Sequence, residues 1–140
     1  MNHSECVRKL IEVGKRFDFH ATGRSFGKRY KLGNPDVVWY YTGKGAKVLR
    51  KIAKGDNYKY LPVVAFEVPY SEKEKALRGS LTTLQLTSAS ASIIVLIGKS
   101  VKYKSYMRKL IGRYSSARFR LWEEKEVNEL YDQVVKRGKQ

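Results

Sequence analysis

Leu61-Pro62-Val63-Val64-Ala65-Phe66-Glu67-Val68-Pro69-Tyr70 is a hydrophobic run interrupted by one carboxylate. Its length and its content of valine and phenylalanine read as a buried strand. Alternation along a strand puts Glu67 on one face with Val63 and Ala65, and Val64, Phe66 and Val68 on the other. A second segment of the same kind stands upstream, Asn34-Pro35-Asp36-Val37-Val38-Trp39-Tyr40-Tyr41, and it also carries one carboxylate. An ionised side chain that leaves water loses much hydration energy and is kept buried only with a partner. A shared metal ion would satisfy both groups. An arginine would serve Glu67 equally well, and Asn-Pro-Asp is also an ordinary way for a loop to end.

Outward from these two strands the chain divides into short elements. Val7, Leu10 and Ile11 share one helical face, so a helix is expected from Ser4 to about Val13, capped by Ser4 and ended by Gly14. Phe17, Phe19 and Ala21 alternate with Asp18 and His20, a half-buried strand. The stretch from Ala21 to Pro35 is a glycine-rich basic loop, and Asp36–Tyr41 forms the second strand. Thr42–Lys59 is a polar link with a helical turn near Ala46–Ile52, leading into the third strand at Leu61–Val68. Ser71 and Glu74 have the spacing of a capping box. The helix they open runs to about Ser88, with Leu77, Leu81 and Leu84 inward. Ser92–Gly98 (SIIVLIG) is continuously apolar, as strands buried on both faces are. A basic helix at Tyr103–Ile111 and a strand at Ala117–Trp122 come next. A closing helix over Glu123–Val135 turns Val127, Leu130, Tyr131 and Val134 inward. The order α-β-β-β-α-β-α-β-α predicts an α/β fold, a mixed sheet flanked by helices on both sides, in one domain over residues 1–140.

Charge narrows the class of partner. The 140 residues carry a formal charge of +16. It is shared evenly, with 14 basic and 6 acidic residues in 1–70 and 15 and 7 in 71–140. Residues 99–122 hold eight basic side chains and no acidic one, and Arg24, Lys28, Arg29 and Lys31 form a second cluster. Such a field draws in polyanions, nucleic acid above all. No strongly amphipathic basic helix with a bulky apolar face points to a membrane surface instead. No apolar run approaches the roughly 18 residues of a membrane span. The first residues lack an apolar signal core, and a single cysteine, Cys6, suits an intracellular, cytoplasmic location near the nucleoid. His3 and His20 have no zinc-site spacing, and no phosphate-binding glycine loop is present.

The element order, with Pro35-Asp36 and Glu67 where they stand, resembles the PD-(D/E)xK nuclease superfamily, the restriction-endonuclease-like fold. The nearest likeness is to archaeal Holliday-junction resolvases. It covers residues 4–100 as a layout and includes the loop ATGRSFG before Pro35-Asp36. The resemblance implies Mg²⁺, or Mn²⁺ in its place, bound by Asp36, Glu67 and the Val68 carbonyl. Glu5 on the first helix would bind a second ion or hold a metal-bound water. It is otherwise a solvated first-turn glutamate favoured by the helix dipole. Where the motif has its lysine, two residues after Glu67, this chain has Pro69. Lys73 and Lys75 are the displaced replacements, and Gln85 matches a glutamine that some members carry near the site.

The expected activity is a metal-dependent DNA endonuclease acting on branched or otherwise structured DNA. Its phosphates would be held by Arg24, Ser25, Lys28, Arg29, Lys31, Lys99, Lys102, Lys104, Arg108, Lys109 and Arg113. The resemblance also implies a homodimer, with Leu81, Leu84 and Leu86 or the edge of SIIVLIG as its apolar surface. The alternatives are an inactive nucleic-acid-binding protein on the same fold, with Pro69 as the mark of lost activity, and an RNA-binding module that stacks its tyrosines on bases.

Overall fold

The structure, a computed structural model, describes residues 1–23, 35–53, 61–69, 73–113 and 118–139. Among them are five strands: β1 His20–Gly23, β2 Val37–Tyr41, β3 Leu61–Glu67, β4 Ala91–Leu96 and β5 Phe119–Glu123. They form one sheet in sequence order. β1 and β2 pair antiparallel, as do β2 and β3, whereas β3–β4 and β4–β5 are parallel. The helices are α1 His3–Arg16, α2 Lys44–Ala53, α3 Glu74–Thr87, α4 Lys104–Arg113 and α5 Glu124–Tyr131. A 3₁₀ turn, Gly98–Tyr103, leads into α4, and a π turn, Asp132–Lys136, continues α5. The fold is therefore α/β with a mixed five-stranded sheet. It differs from the expected order by α2, a full helix where the sequence suggested one turn.

Two cores lie on opposite faces of the sheet. On one, Cys6, Leu10 and Val13 of α1 and Val127 of α5 meet Val37, Trp39, Phe66 and Val95. On the other, Leu77, Leu81 and Leu84 of α3 and Met107 of α4 meet Val38, Ala65, Ile94 and Leu96. Glu67 follows Phe66 and precedes Val68. Phe66 and Val68 lie on the α1 side, and Ala65 on the α3 side. β4 is paired on both sides and nearly all buried, which is why its sequence shows no polar alternation.

Several boundaries move, for identifiable reasons. Asn2, not Ser4, caps α1, its Oδ1 accepting the Glu5 N–H at 2.8 Å. Gly14 does not end the helix. A Cβ at Gly14 would lie 2.4 Å from Trp39 Nε1, so this glycine makes room for the indole, which donates to the Leu10 carbonyl at 2.9 Å. The stop falls at Asp18, in the left-handed region with φ 64°. Its N–H reaches Lys15 O and the Phe19 N–H reaches Gly14 O, both at 3.0 Å, a Schellman ending with aspartate in place of glycine. Residues 17–19 thus turn the chain, and β1 begins only at His20. α3 starts at Glu74 with Lys73 in the cap position and no side-chain cap. Ser71 lies outside the described residues.

The surfaces suggested for a dimer are also displaced. Leu81 and Leu84 are fully buried within the protein, and β4 is an interior strand with no free edge. Leu86 is exposed. Among the described residues, no helix is long and apolar enough to cross a membrane.

Candidate active site

β2 and β3 are antiparallel neighbours with Val37 opposite Phe66, so the start of one strand meets the end of the other. This places Asp36 beside Glu67 at one end of the sheet. Both are buried, each 6 % exposed. Asp36 Oδ2 accepts the Val68 N–H at 2.8 Å, and the Asp36 N–H donates to Glu67 Oε2 at 3.3 Å. His3, in the first turn of α1, brings Nε2 to 3.4 Å from Asp36 Oδ1. Cys6, one turn further on, is buried against the same place. Burial, and then the nearby charges of Asp36 and Glu124, push its thiol pKa up to about 12.

The exit from β3 is fastened by a residue the sequence did not single out. Ser100, fully buried in the 3₁₀ turn after β4, donates from Oγ to the Pro69 carbonyl at 2.5 Å and accepts the Ile97 N–H at 3.0 Å. Pro69 is therefore part of a pinned backbone corner. A lone serine after an apolar strand gives no advance sign of this.

His3 was legible, by contrast. It lies on the helical stripe of Val7 and Leu10, whereas Glu5 lies on the stripe of Arg8 and Glu12. Glu5 is exposed on that outer side of α1, and among the described residues it is His3 that meets Asp36. Lys73 and Lys75 are exposed at the start of α3, which follows β3 and so begins at the carboxylate end of the sheet. Gln85 is exposed in the last turn of α3, ten residues beyond Lys75, which is about 15 Å along the axis. The structure does not bring it to Asp36 and Glu67.

The basic residues fall into three groups. Lys99 and Lys102 are exposed on the 3₁₀ turn, and Arg108, Lys109 and Arg113 are exposed on α4. Lys104 is half-buried and paired with Glu123 at 3.0 Å. Arg24, Ser25, Lys28, Arg29 and Lys31 lie outside the described residues, as does Tyr114. Tyr103 and Tyr106 pack against the α3–α4 core.

No family model, curated protein or solved structure compared with this chain gave a match. The functional reading therefore rests on the site itself. Two buried carboxylates, one just before β2 and one at the end of β3, bring hard oxygen donors to one point. Among the described residues no group of three or more His, Cys, Asp or Glu side chains is placed to hold a metal ion. Asp36 and Glu67 put two carboxylates at this point. That is the number Mg²⁺ commonly takes, the remaining positions being filled by water and phosphate oxygens.

Proposed function

We propose that the chain is a metal-dependent DNA endonuclease of restriction-endonuclease-like fold, cutting phosphodiester bonds in branched or structured DNA. One observation carries the reading: Asp36 and Glu67, from separate strands, converge in a buried pair at one end of the sheet of a protein of charge +16. The strand order, with an antiparallel β1–β2–β3 unit followed by parallel β4 and β5, supports the fold assignment. Asp36 and Glu67 would hold Mg²⁺ or Mn²⁺, with the Val68 carbonyl as a further donor. Such a cation acidifies bound water and stabilises charge on phosphorus and on the leaving oxygen. Lys73 and Lys75 stand at the same end of the sheet and supply the positive charge that Pro69 cannot. The surrounding lysines and arginines bind phosphates and read shape rather than sequence. A homodimer suits symmetric cutting of two strands.

A second reading is favoured by the hydrogen bonds within the pair. Each carboxylate accepts a backbone N–H, so Asp36 and Glu67 also serve as fasteners between β2 and β3. On that reading the protein binds nucleic acid without cutting it. The discriminating experiment incubates the purified protein with a four-way junction, a duplex and a single strand, with Mg²⁺ or with chelator. The nuclease reading expects metal-dependent cleavage that Asp36→Asn and Glu67→Gln abolish and that Lys73→Ala or Lys75→Ala reduces. Tight binding with no cleavage under any divalent metal overturns it in favour of the second.

A further inference from the structure

The +16 charge is not spread evenly over the folded protein. The face built by α3, the 3₁₀ turn and α4 takes residues 73–113, which carry nine basic residues and one acidic one. The opposite face, built by residues 3–16 and 124–139, carries eight basic and six acidic ones. Between these two sets of helices the cationic charge is concentrated on the α3–α4 side, a difference that bulk solubility does not require.

The geometry of the cationic face is specific. α3 links β3 to the parallel β4, and α4 links β4 to the parallel β5, so both helices run in the same direction and begin at the carboxylate end of the sheet. They are tied together by Arg78 Nη1, which donates to Tyr106 Oη at 3.3 Å. Lys75 and Arg78 mark one row along α3, and Arg108, Lys109 and Arg113 mark a second along α4, all exposed. The two helices cover neighbouring strands of the sheet and share one core. Two such rows can serve two phosphate strands flanking a groove about 6 Å wide, whereas a single strand offers charge to only one. Between the cations stand Gly79 on α3 and Ser105 and Gly112 on α4. A Cβ on either glycine would meet nothing within 4 Å, so no packing inside the protein requires glycine there. Mid-helix glycine costs about 1 kcal/mol relative to alanine, and it keeps this surface low enough for a backbone to approach.

We propose that the outer face of α3 and α4 is the docking surface for the two phosphate backbones of duplex DNA, leading the duplex to the carboxylate end of the sheet. The proposal rests on the nucleic-acid reading above and adds which face is used, what form of nucleic acid it takes, and Arg78 as a contact.

The test measures binding to a labelled 20-base-pair duplex by fluorescence anisotropy across a salt series, in chelator so that cleavage plays no part. The triple variant Arg78→Gln, Arg108→Gln, Lys109→Gln is compared with Lys15→Gln, Arg16→Gln, Lys125→Gln on the opposite face, which removes the same net charge. The first is expected to weaken binding about tenfold or more and to flatten the slope of log K against log salt by roughly 2–3, each phosphate contact contributing about 0.9. The second is expected to change affinity by less than about threefold. Ser105→Glu, which adds a negative charge to the docking face without removing a contact, is expected to weaken binding as well, with a smaller change of slope than the first triple. Equal loss in the two triples, wild-type binding by the first, tighter binding of single strand than duplex, or no duplex binding at low salt overturns the proposal. Duplex binding as described with no cleavage under any metal ends the nuclease reading and leaves the docking face standing. Cleavage by a first-triple variant that binds like wild type does the reverse.

Discussion

Asp36 and Glu67 clasp the junction of β2 and β3 reciprocally: Asp36 takes the N–H that follows Glu67, and Glu67 takes the N–H of Asp36 itself. Any metal role is therefore superimposed on a structural one, and substitutions must be chosen to separate the two. Asp36→Asn keeps an oxygen for the Val68 N–H and is expected to stay folded. Its cleavage should fall by roughly 100-fold or more, equivalent to about 3 kcal/mol of transition-state stabilisation. Asp36→Ala leaves a buried N–H without its acceptor and should also lose about 1–3 kcal/mol of stability. Denaturant melts beside cleavage assays distinguish the effects. Equal stability of the two variants would show that the clasp contributes little.

Ser100 holds the corner after Glu67 through the Pro69 carbonyl and the Ile97 N–H. Ser100→Ala removes the hydroxyl from a fully buried site and is expected to cost about 1–3 kcal/mol. Because the corner sets the direction in which the chain leaves Glu67, activity should fall more than the loss of folded protein explains. Thermal melts and rates normalised to folded protein check this. A stability loss with an unchanged normalised rate would confine Ser100 to the scaffold.

Gly14 is required by contact rather than by conformation. Gly14→Ala sets a methyl group against Trp39 and 2.9 Å from the Ala21 Cβ, and overpacking of this kind costs about 1–3 kcal/mol. The displaced indole should change near-ultraviolet circular dichroism and tryptophan emission. Full stability with an unchanged spectrum would refute the account.

Cys6 yields a prediction in pH. Its thiol is raised from an ordinary value of 9.0 to about 12, chiefly by burial and then by Asp36 and Glu124. The folded state holds this proton more tightly than the unfolded state does. The resulting stability is fully present below pH 9 and declines as pH rises from about 9 towards 12. Cys6→Ala should lack that part of the alkaline decline, seen as a shallower loss of melting temperature over this range. Native Cys6 should also resist alkylation at pH 8 and react quickly once unfolded.

Where hydrophobic spacing decides a position, the sequence was informative. Leu77, Leu81 and Leu84 are buried as their spacing requires, and the apolar run SIIVLIG supplies most of an interior strand, Ala91–Leu96. Positions decided by contacts between distant segments were harder to read. Gly14 looked like a helix stop because glycine commonly is one, but the demand for a small residue comes from Trp39. Ser100 is defined by a carbonyl 31 residues away. The Val7–Leu10 stripe, extended back one turn, reaches His3, whereas Glu5 is a candidate through the family resemblance alone. Leu81 and Leu84 cover their own sheet and not a second subunit, a distinction that an apolar helix face does not carry in its sequence.

The interior position of β4 has a consequence for how the chain is made. Its inner edge joins β3, already synthesised, but its outer edge joins β5, whose first residue comes 23 positions after the last of β4. Until Phe119–Glu123 leaves the ribosome, SIIVLIG presents an apolar strand edge with open hydrogen-bonding groups, a template for pairing between nascent chains. A chain ended before Phe119 should therefore accumulate as aggregate, whereas the 140-residue chain closes that edge as β5 is added.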